Sequence, residues 1–175
     1  MGRTKKYIRG FTLVGAFFGL LILLPLILKF GFWTGAVGTL VGTLLCTTIM
    51  AVIFIPIDFF LTRKLPPEAL NVRQERKIQA KGNYDKVFEK SIEILRGIKS
   101  IKTIDPLKTS QSISARTKAS IVSFGEGIDL EFKPLNQETT EIRISSCPVV
   151  WYTLLDFGKN FKNVVFISKE LQRYF

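Results

Sequence analysis

The sequence predicts a two-helix transmembrane hairpin followed by a small α+β cytoplasmic domain. Three observations support this fold class: two long apolar runs near the N-terminus, basic residues concentrated at their flanks, and alternating apolar and polar residues further along. The chain has 175 residues, a formal net charge of +11 and a hydrophobic fraction of 47%. Its mean hydropathy is nevertheless positive, at +0.25. Such a combination indicates that apolar and charged residues occupy separate segments, as in a membrane protein with a charged domain.

The two apolar runs are residues 11–30 and 36–60, which carry only Lys29 and Asp58 as charges. About 20 consecutive apolar residues suffice for a helix that crosses a bilayer. A signal peptide fits less well, because its apolar core has only about 7–15 residues and ends at a small-residue cleavage site. We therefore predict a hairpin over residues 11–60, with a tight turn at residues 31–35.

Basic flanking residues predict the orientation of this hairpin. The basic N-terminal segment, residues 1–10, has four basic residues and no acidic one, and residues 61–82 have six basic residues against two acidic ones. Positively charged residues stay on the cytoplasmic side of a membrane. We therefore expect the chain to be a multi-pass protein of the cell (inner) membrane, with both termini in the cytoplasm. Residues 61–82 are predicted as a juxtamembrane helix or linker, with a polar helix over 68–81. The side chains expected to contact lipid headgroups there are Arg63, Lys64, Arg73, Arg76, Lys77 and Lys81.

Glycines recur along both runs at spacings that allow helices to approach closely. One interpretation is that these glycines only pack the two spans against each other. The alternative is that they also drive formation of the homo-oligomer that we expect. The predicted packing positions are Gly15, Gly19, Gly35, Gly38 and Gly42.

Residues 83–175 are predicted to form the cytoplasmic domain, in the order helix, antiparallel meander of about five strands, helix. Asn83 can cap a helix that runs to about residue 97, and a last helix is predicted over 159–174. Both helices can cover one face of the sheet. The predicted strands are 100–104, 111–124, 127–133, 139–146 and, as a buried apolar strand, 149–155.

The composition removes much catalytic and metal chemistry. The chain has no histidine, which excludes a Ser-His-Asp triad, a Cys-His pair and a histidine-ligated zinc site within it. Cys46 and Cys147 are too few and too far apart for a Cys-x-x-Cys metal site, and we interpret both as small buried residues. We predict no cofactor, no metal and no enzymatic activity.

One stretch, residues 156–163, has the character of a motif. It links a predicted strand to the last helix, where free N–H groups can bind an anion. The candidate ligand-binding residues are Asp156, Lys159, Asn160 and Asn163. The alternative is a strand-to-helix turn that Asp156 caps, with no ligand.

A second stretch, Ser123-Phe124-Gly125-Glu126, is most simply a hairpin turn. Together, the two stretches resemble an uncharacterised kind of small bacterial membrane-anchored protein. The shared pattern is a Ser-Phe-Gly-Glu turn, then a strand, then Asp-x-Gly-Lys-Asn-x-x-Asn before a final helix. The resemblance covers about residues 113–167 and implies no activity.

These observations predict a non-enzymatic integral membrane protein. Its hairpin would anchor and oligomerise the chain, and its cytoplasmic domain would bind a partner protein or a small anionic ligand. The first alternative is a ligand-gated membrane effector or small oligomeric channel. The second is a membrane enzyme that acts on lipid through Asp58 or Glu126, although no nucleophile–base pair follows from the spacing. Membrane lipids are the expected partners, and nucleic acid is not, because basic residues do not alternate with aromatic ones.

Overall fold

The computed structural model describes residues 12, 15–17, 19, 21, 25, 27–120, 123–150, 153 and 156–175. The chain divides into two compact units, Met1–Arg63 and Lys64–Phe175. Each unit is described by itself below.

The first unit contains helix α1, Phe32–Thr62, which includes the second predicted span. Many of its large apolar side chains are exposed, for example Trp33 at 80% and Leu40 at 68%. Within the described part of the chain, it is the one helix long and apolar enough to cross a membrane. Of the 20 residues of the first predicted span, 11–30, eleven are described and all eleven are helical, and the other nine lie outside the described residues. The two-helix hairpin therefore remains a prediction, while one apolar helix is established.

Close contacts surround three of the glycines predicted to pack helices. A Cβ atom on Gly15 would lie 2.6 Å from Thr47 Oγ1, and one on Gly19 would lie 2.7 Å from Thr43 Oγ1. At Gly35 the same atom would lie 2.7 Å from the backbone nitrogen of Ile27. A larger residue at Gly15 or Gly19 would displace a threonine side chain, and one at Gly35 would displace the backbone of Ile27. Gly42 has open space around it, so this contact pattern does not include it.

The second unit is an α+β domain built on a five-stranded antiparallel sheet in the spatial order β1-β5-β4-β3-β2. Short 3₁₀ helices at Pro67–Leu70 and Lys108–Ser110 connect the larger elements. These elements are β1 (Gln74–Lys81), α2 (Tyr84–Gly97), β2 (Ile101–Leu107), β3 (Ser112–Thr117), β4 (Glu126–Asn136), β5 (Thr139–Pro148) and α3 (Lys159–Tyr174).

Alternation along the strands places the core on one face of the sheet, where α2 and α3 also pack. In β4, Ile128, Leu130 and Phe132 are buried while the residues between them are partly or fully exposed. The two helices contribute apolar residues at helical spacing, including Phe88 and Leu95 from α2 and Ile167 and Leu171 from α3. The result is one continuous core, with the opposite face of the sheet left to charged and polar side chains.

Both predicted helices of the domain are confirmed, because their signals are local. Asn83 caps α2 by accepting a hydrogen bond from the backbone N–H of Lys86 at 3.0 Å. The bounds of α3 coincide with the predicted 159–174. The antiparallel sheet is also confirmed.

The polar helix predicted over residues 68–81 was wrong. Only Pro67–Leu70 is helical, as one 3₁₀ turn, and Gln74–Lys81 is the edge strand β1. Ile78 and Ala80, two residues apart, point into the core, and β1 pairs along its length with β5. A free sheet edge on β5 therefore overrode the weak helical pattern. Consequently the compact unit begins at Lys64 and not at residue 83.

The strand predicted over 149–155 is not found among its described residues. Val149, Val150 and Thr153 have no strand conformation, and residues 151, 152, 154 and 155 lie outside the described part. The physical reason is pairing: Pro148 is opposite Glu126, the first residue of β4. Beyond that register one backbone hydrogen bond remains, from the Val149 N–H to the carbonyl oxygen of Gly125 at 3.1 Å. Because Gly125 has a φ of +96° and is not extended, the ladder ends there.

Candidate functional site

Three elements bring a charged pair together at one end of the sheet. β3 ends at Thr117, β4 begins at Glu126, and α3 begins at Lys159. Glu126 is in phase with the buried residues of β4, so its side chain points inward and is only 1% exposed. Lys159 Nζ lies 3.0 Å from Glu126 Oε2 and keeps a quarter of its side chain exposed. The fold therefore buries the carboxylate and leaves the ammonium at the surface.

Two hydroxyl groups complete the environment of Glu126. The Thr117 hydroxyl accepts the backbone N–H of Glu126 at 2.8 Å and donates to Glu126 Oε2 at 2.5 Å. The Ser123 hydroxyl accepts the backbone N–H of Gly125 at 3.1 Å and donates to Glu126 Oε1. Because each hydroxyl has one proton, accepting from a backbone N–H leaves that proton for the carboxylate. Both oxygens of Glu126 are therefore held as hydrogen-bond acceptors.

Lys159 has weaker contacts besides its ion pair. Its Nζ lies 3.3 Å from Ser123 Oγ and 3.4 Å from Ser120 Oγ. Both distances exceed the usual 2.7–3.2 Å of an N–H···O hydrogen bond. The ammonium thus has donor capacity that the protein satisfies poorly.

The turn before β4 is fixed by Gly125. Its φ is +96°, and a Cβ atom there would lie 2.9 Å from the carbonyl oxygen of Thr117. Only glycine adopts this conformation at low cost and permits such an approach. With Ser123 and Glu126 held inward, Phe124 projects outward and is 73% exposed.

A second network holds the turn that precedes α3. Asp156, 1% exposed, accepts the backbone N–H of Gly158 on Oδ1 at 3.2 Å. Its Oδ2 accepts the backbone N–H and the side-chain amide of Asn160 at 3.0 and 2.9 Å. Phe157 and Gly158 between them have positive φ values of 53° and 71°. A positive φ is uncommon for a residue such as phenylalanine, so the turn carries backbone strain.

The four residues predicted as a ligand site divide into two groups. Asp156, Asn160 and Asn163 join one network, in which the Ser146 hydroxyl donates to Asn160 Oδ1 at 2.6 Å and accepts from Asn163 Nδ2 at 3.3 Å. Lys159 belongs instead to the Glu126 cluster. Asp156 accepts the backbone N–H of Asn160 in the first turn of α3, which is one of the groups that an anion would use.

The residues predicted to contact lipid headgroups are exposed at the surface. Arg63 stacks over the Phe60 ring, with Cζ 4.4 Å from its centroid. Arg76 on β1 donates to Ser168 Oγ at 3.1 Å. Among these residues, Lys81 lines an open pocket that Lys86 and the β4–β5 turn also border.

The open face of the sheet has a separate, exposed charge cluster. Arg143 on β5 lies 2.8 Å from Glu75 on β1 and 3.3 Å from Glu131 on β4. Its hydrogen bond lowers the pKa of Glu75, and Glu75 in turn raises the pKa of Arg143. Elsewhere, burial raises the pKa of Tyr84. Within the described residues, no three His, Cys, Asp or Glu side chains form a group that could hold a metal ion.

Sequence reasoning weighed Glu126 only as an isolated carboxylate and overlooked Thr117 and Ser146 as site residues. Both have a signal in the strand alternation. Thr117 follows Ile113 and Ala115 on the inward side of β3, and Ser146 follows Ile144 on the inward side of β5. A polar residue in an inward position near a strand end is the signal that could have found them.

No family model matches the chain, and no curated protein matches it. Eight chains of solved structures match, and the three described below each have a TM-score of 0.32. A conserved protein from Geobacillus kaustophilus is 14% identical, over 58% of this chain and 93% of that one. The ZhuI aromatase/cyclase from Streptomyces sp. R1128 is 10% identical, with the same coverage. The di-domain aromatase/cyclase StfQ of the steffimycin biosynthetic pathway is 14% identical, over 79% of this chain and 57% of that one.

These comparisons contradict two predictions. Aromatase/cyclases are enzymes, so the predicted function, a non-enzymatic integral membrane protein with a channel as its alternative, is corrected. The prediction that the chain is not an enzyme is corrected with it. At this TM-score the similarity assigns no activity to this chain.

Proposed function

We propose that Lys64–Phe175 is a small-molecule-binding domain that holds a neutral ligand through an oxygen atom at Lys159. One observation carries this proposal. Lys159 Nζ has one full ion pair, to Glu126 at 3.0 Å, and only two long contacts, to Ser123 and Ser120 at 3.3 and 3.4 Å. Because the ammonium has three donors and is a quarter exposed, a ligand oxygen can replace either long contact with a stronger hydrogen bond.

The charge balance favours a neutral ligand over an anion. Glu126 already neutralises Lys159, and an incoming carboxylate or phosphate would approach a buried negative charge at close range. Like charges at such short range repel each other, and the repulsion is stronger when one of them is buried, as Glu126 is. A carbonyl or hydroxyl oxygen accepts the same hydrogen bond without this repulsion.

Stability alone does not account for the cluster. A buried ion pair costs desolvation free energy, and well-packed apolar residues often stabilise a fold at least as well. The adjoining turn adds the strain of Phe157 at φ 53°. Strained backbone and buried charge concentrate at functional sites, where they fix a side chain in place.

Competitive acylation of lysines tests the proposal on the full chain. An amine-reactive acetylating reagent is applied, and mass spectrometry gives the rate at each lysine. Cyclohexanone is the probe, with cyclohexanecarboxylate as its anionic and methylcyclohexane as its oxygen-free counterpart. We expect cyclohexanone to slow acetylation of Lys159 several-fold at saturating concentration, and the other two to have little effect.

Lys162 provides the internal control, because it is exposed in the first turn of the same helix. Its rate should not respond to any of the three compounds. If cyclohexanone leaves Lys159 unprotected, or if the carboxylate protects it better, the proposed binding of a neutral oxygen ligand is wrong.

The corrected prediction concerned function, and a separate proposal concerns only location: we propose that two apolar segments of residues 1–63 cross the cell (inner) membrane with both termini in the cytoplasm. The exposed apolar surface of α1 supports this topology, since a helix apolar on every side is typical of a membrane span. The contacts of Gly15 and Gly19 with Thr47 and Thr43 are consistent with paired spans. A cysteine in place of Trp33 should react with an impermeant maleimide from outside intact cells, and Lys118→Cys should not. Reaction of the second cysteine would contradict the topology.

A further inference from the structure

Residues 65–70, here called the strap, lie against the turn that precedes Lys159. Leu65 Cδ1 fills the space beside Gly158, so that a Cβ atom on Gly158 would overlap it. The carbonyl oxygen of Ala69 lies 3.9 Å from the same position, and Ala69 is fully buried. The strap therefore packs onto the turn at the residue next to Lys159.

This turn decides where Lys159 points. Its backbone has positive φ at both Phe157 and Gly158, and Lys159 is the first residue of α3. Asp156 holds the turn from within the domain through the N–H groups of Gly158 and Asn160. Leu65 covers it from outside, so a strained conformation is fixed from two sides.

We infer that the strap is a control element for the Lys159 site, with Leu65 as a positioning residue that acts through Gly158. This inference rests on the proposed function, because it assigns a means of regulation to that site. Pulling Leu65 off Gly158 frees the turn and exposes Lys159.

The first experiment measures acetylation of Lys159 in the full chain without any ligand. In the variant Leu65→Ala we expect the rate at Lys159 to rise several-fold, because the turn loses its outer contact. The rate at Lys162 should stay constant. Leu135→Ala removes an exposed leucine of β4 and serves as the matched control, with both rates unchanged. Leu65→Met, which restores bulk at the contact, should return the Lys159 rate to its original value.

A double-mutant cycle tests whether Leu65 acts through Gly158. Gly158→Ala places a methyl group where Leu65 lies and should also raise the Lys159 rate. In the double variant L65A/G158A the smaller side chain leaves room for that methyl group. We therefore expect a rate below that of G158A alone, which is the non-additivity of residues in contact.

The inference fails if L65A leaves the ratio of the Lys159 and Lys162 rates unchanged, or if it raises both rates equally, as general loosening would. It also fails if the two substitutions combine additively. Because no ligand is present, these results do not depend on the cyclohexanone experiment. If Leu65→Ala raises the Lys159 rate but cyclohexanone gives no protection, then the proposed ligand is wrong and the inference about the strap still holds.

Discussion

Two charge clusters in the same domain have similar distances and different surroundings. Lys159 lies 3.0 Å from Glu126, and Arg143 lies 2.8 Å from Glu75. The side chain of Glu126 is 1% exposed and that of Glu75 is 43% exposed. Coulomb energy depends on the dielectric as strongly as on distance, so these two pairs differ in energy although their geometry is alike. Distance identifies an ion pair, and burial decides its importance.

The clusters also differ in how the chain builds them. Register alone places Arg143 between its two partners, since it is opposite Lys77 on β1 and Glu131 on β4, and Glu75 is two residues from Lys77. The Glu126 cluster needs β3, β4 and the first turn of α3 to meet. A surface cluster of the first kind tolerates change, whereas one of the second kind depends on the complete tertiary fold.

Lys159→Met should give the largest loss of stability. It leaves the buried carboxylate of Glu126 without its cation, and breaking a buried pair in this way costs about 3–5 kcal/mol. Hydrogen exchange of the slowest amides of β4 and β5 measures the free energy of unfolding of the domain. Lys162→Met, an exposed position on the same helix, is the control and should change little. A loss for Lys159→Met as small as that of the control would show that burial of Glu126 does not make its pair with Lys159 important for stability.

Glu126→Gln should have the next largest effect. The amide is close in shape to the carboxylate, but its NH₂ group must face either Ser123 or the pair of Thr117 and Lys159, all of which donate to Glu126. One buried donor then faces another donor in place of an acceptor, which lowers the free energy of unfolding by about 1–3 kcal/mol. Lys159 can still reach water, which limits the loss. The same exchange measurement checks it, with Glu138→Gln in the exposed β4–β5 turn as control; equal effects would refute the expectation.

Arg143→Ala should change stability by at most about 1 kcal/mol, because exposed ion pairs contribute little. The loss should shrink further in high salt, which screens exposed charges. Lys133→Ala on β4 provides a comparison at another exposed position. A loss as large as that of Lys159→Met would contradict the distinction drawn between the two clusters.

The smallest effect concerns pH. Arg143 lowers the pKa of Glu75 in the folded domain, so the contribution of this pair is complete above the unfolded pKa, about 4.3. It is lost as pH falls through the lower, folded pKa. NMR titration of Glu75 should therefore give a midpoint below that of an ordinary glutamate. In Arg143→Ala the midpoint should rise, and an unchanged midpoint would mean that Arg143 is not the cause.

The sequence predicted α2 and α3 well, because a cap such as Asn83 and an apolar face at helical spacing are local signals. It failed for Gln74–Lys81, where two inward residues, Ile78 and Ala80, are too few to distinguish a strand from a helix. The free edge of β5 supplied the missing information. Local sequence also failed for the apolar run 149–155. This run begins just after Pro148, which is paired with Glu126, the first residue of β4.

For the candidate site, the sequence pointed to the strand-to-helix turn and to Glu126, but not to their meeting. Asp156 and Asn160 are four residues apart, so their mutual hydrogen bonds follow from a helix start. Lys159, in contrast, meets Glu126 only because α3, which crosses β1 and β5, begins near the end of the sheet where β3 and β4 adjoin. That crossing depends on how the whole core packs, which no short segment encodes.

By itself, the amino-acid order determined the apolar character of Phe32–Thr62, the two amphipathic helices and the alternation of the central strands, since each depends on neighbours a few residues away. Tertiary structure alone decided that a basic segment becomes an edge strand, that Leu65 covers Gly158, and that one carboxylate is buried against one lysine. Those outcomes depend on contacts between distant parts of the chain, whose free energies exist only when the core has formed.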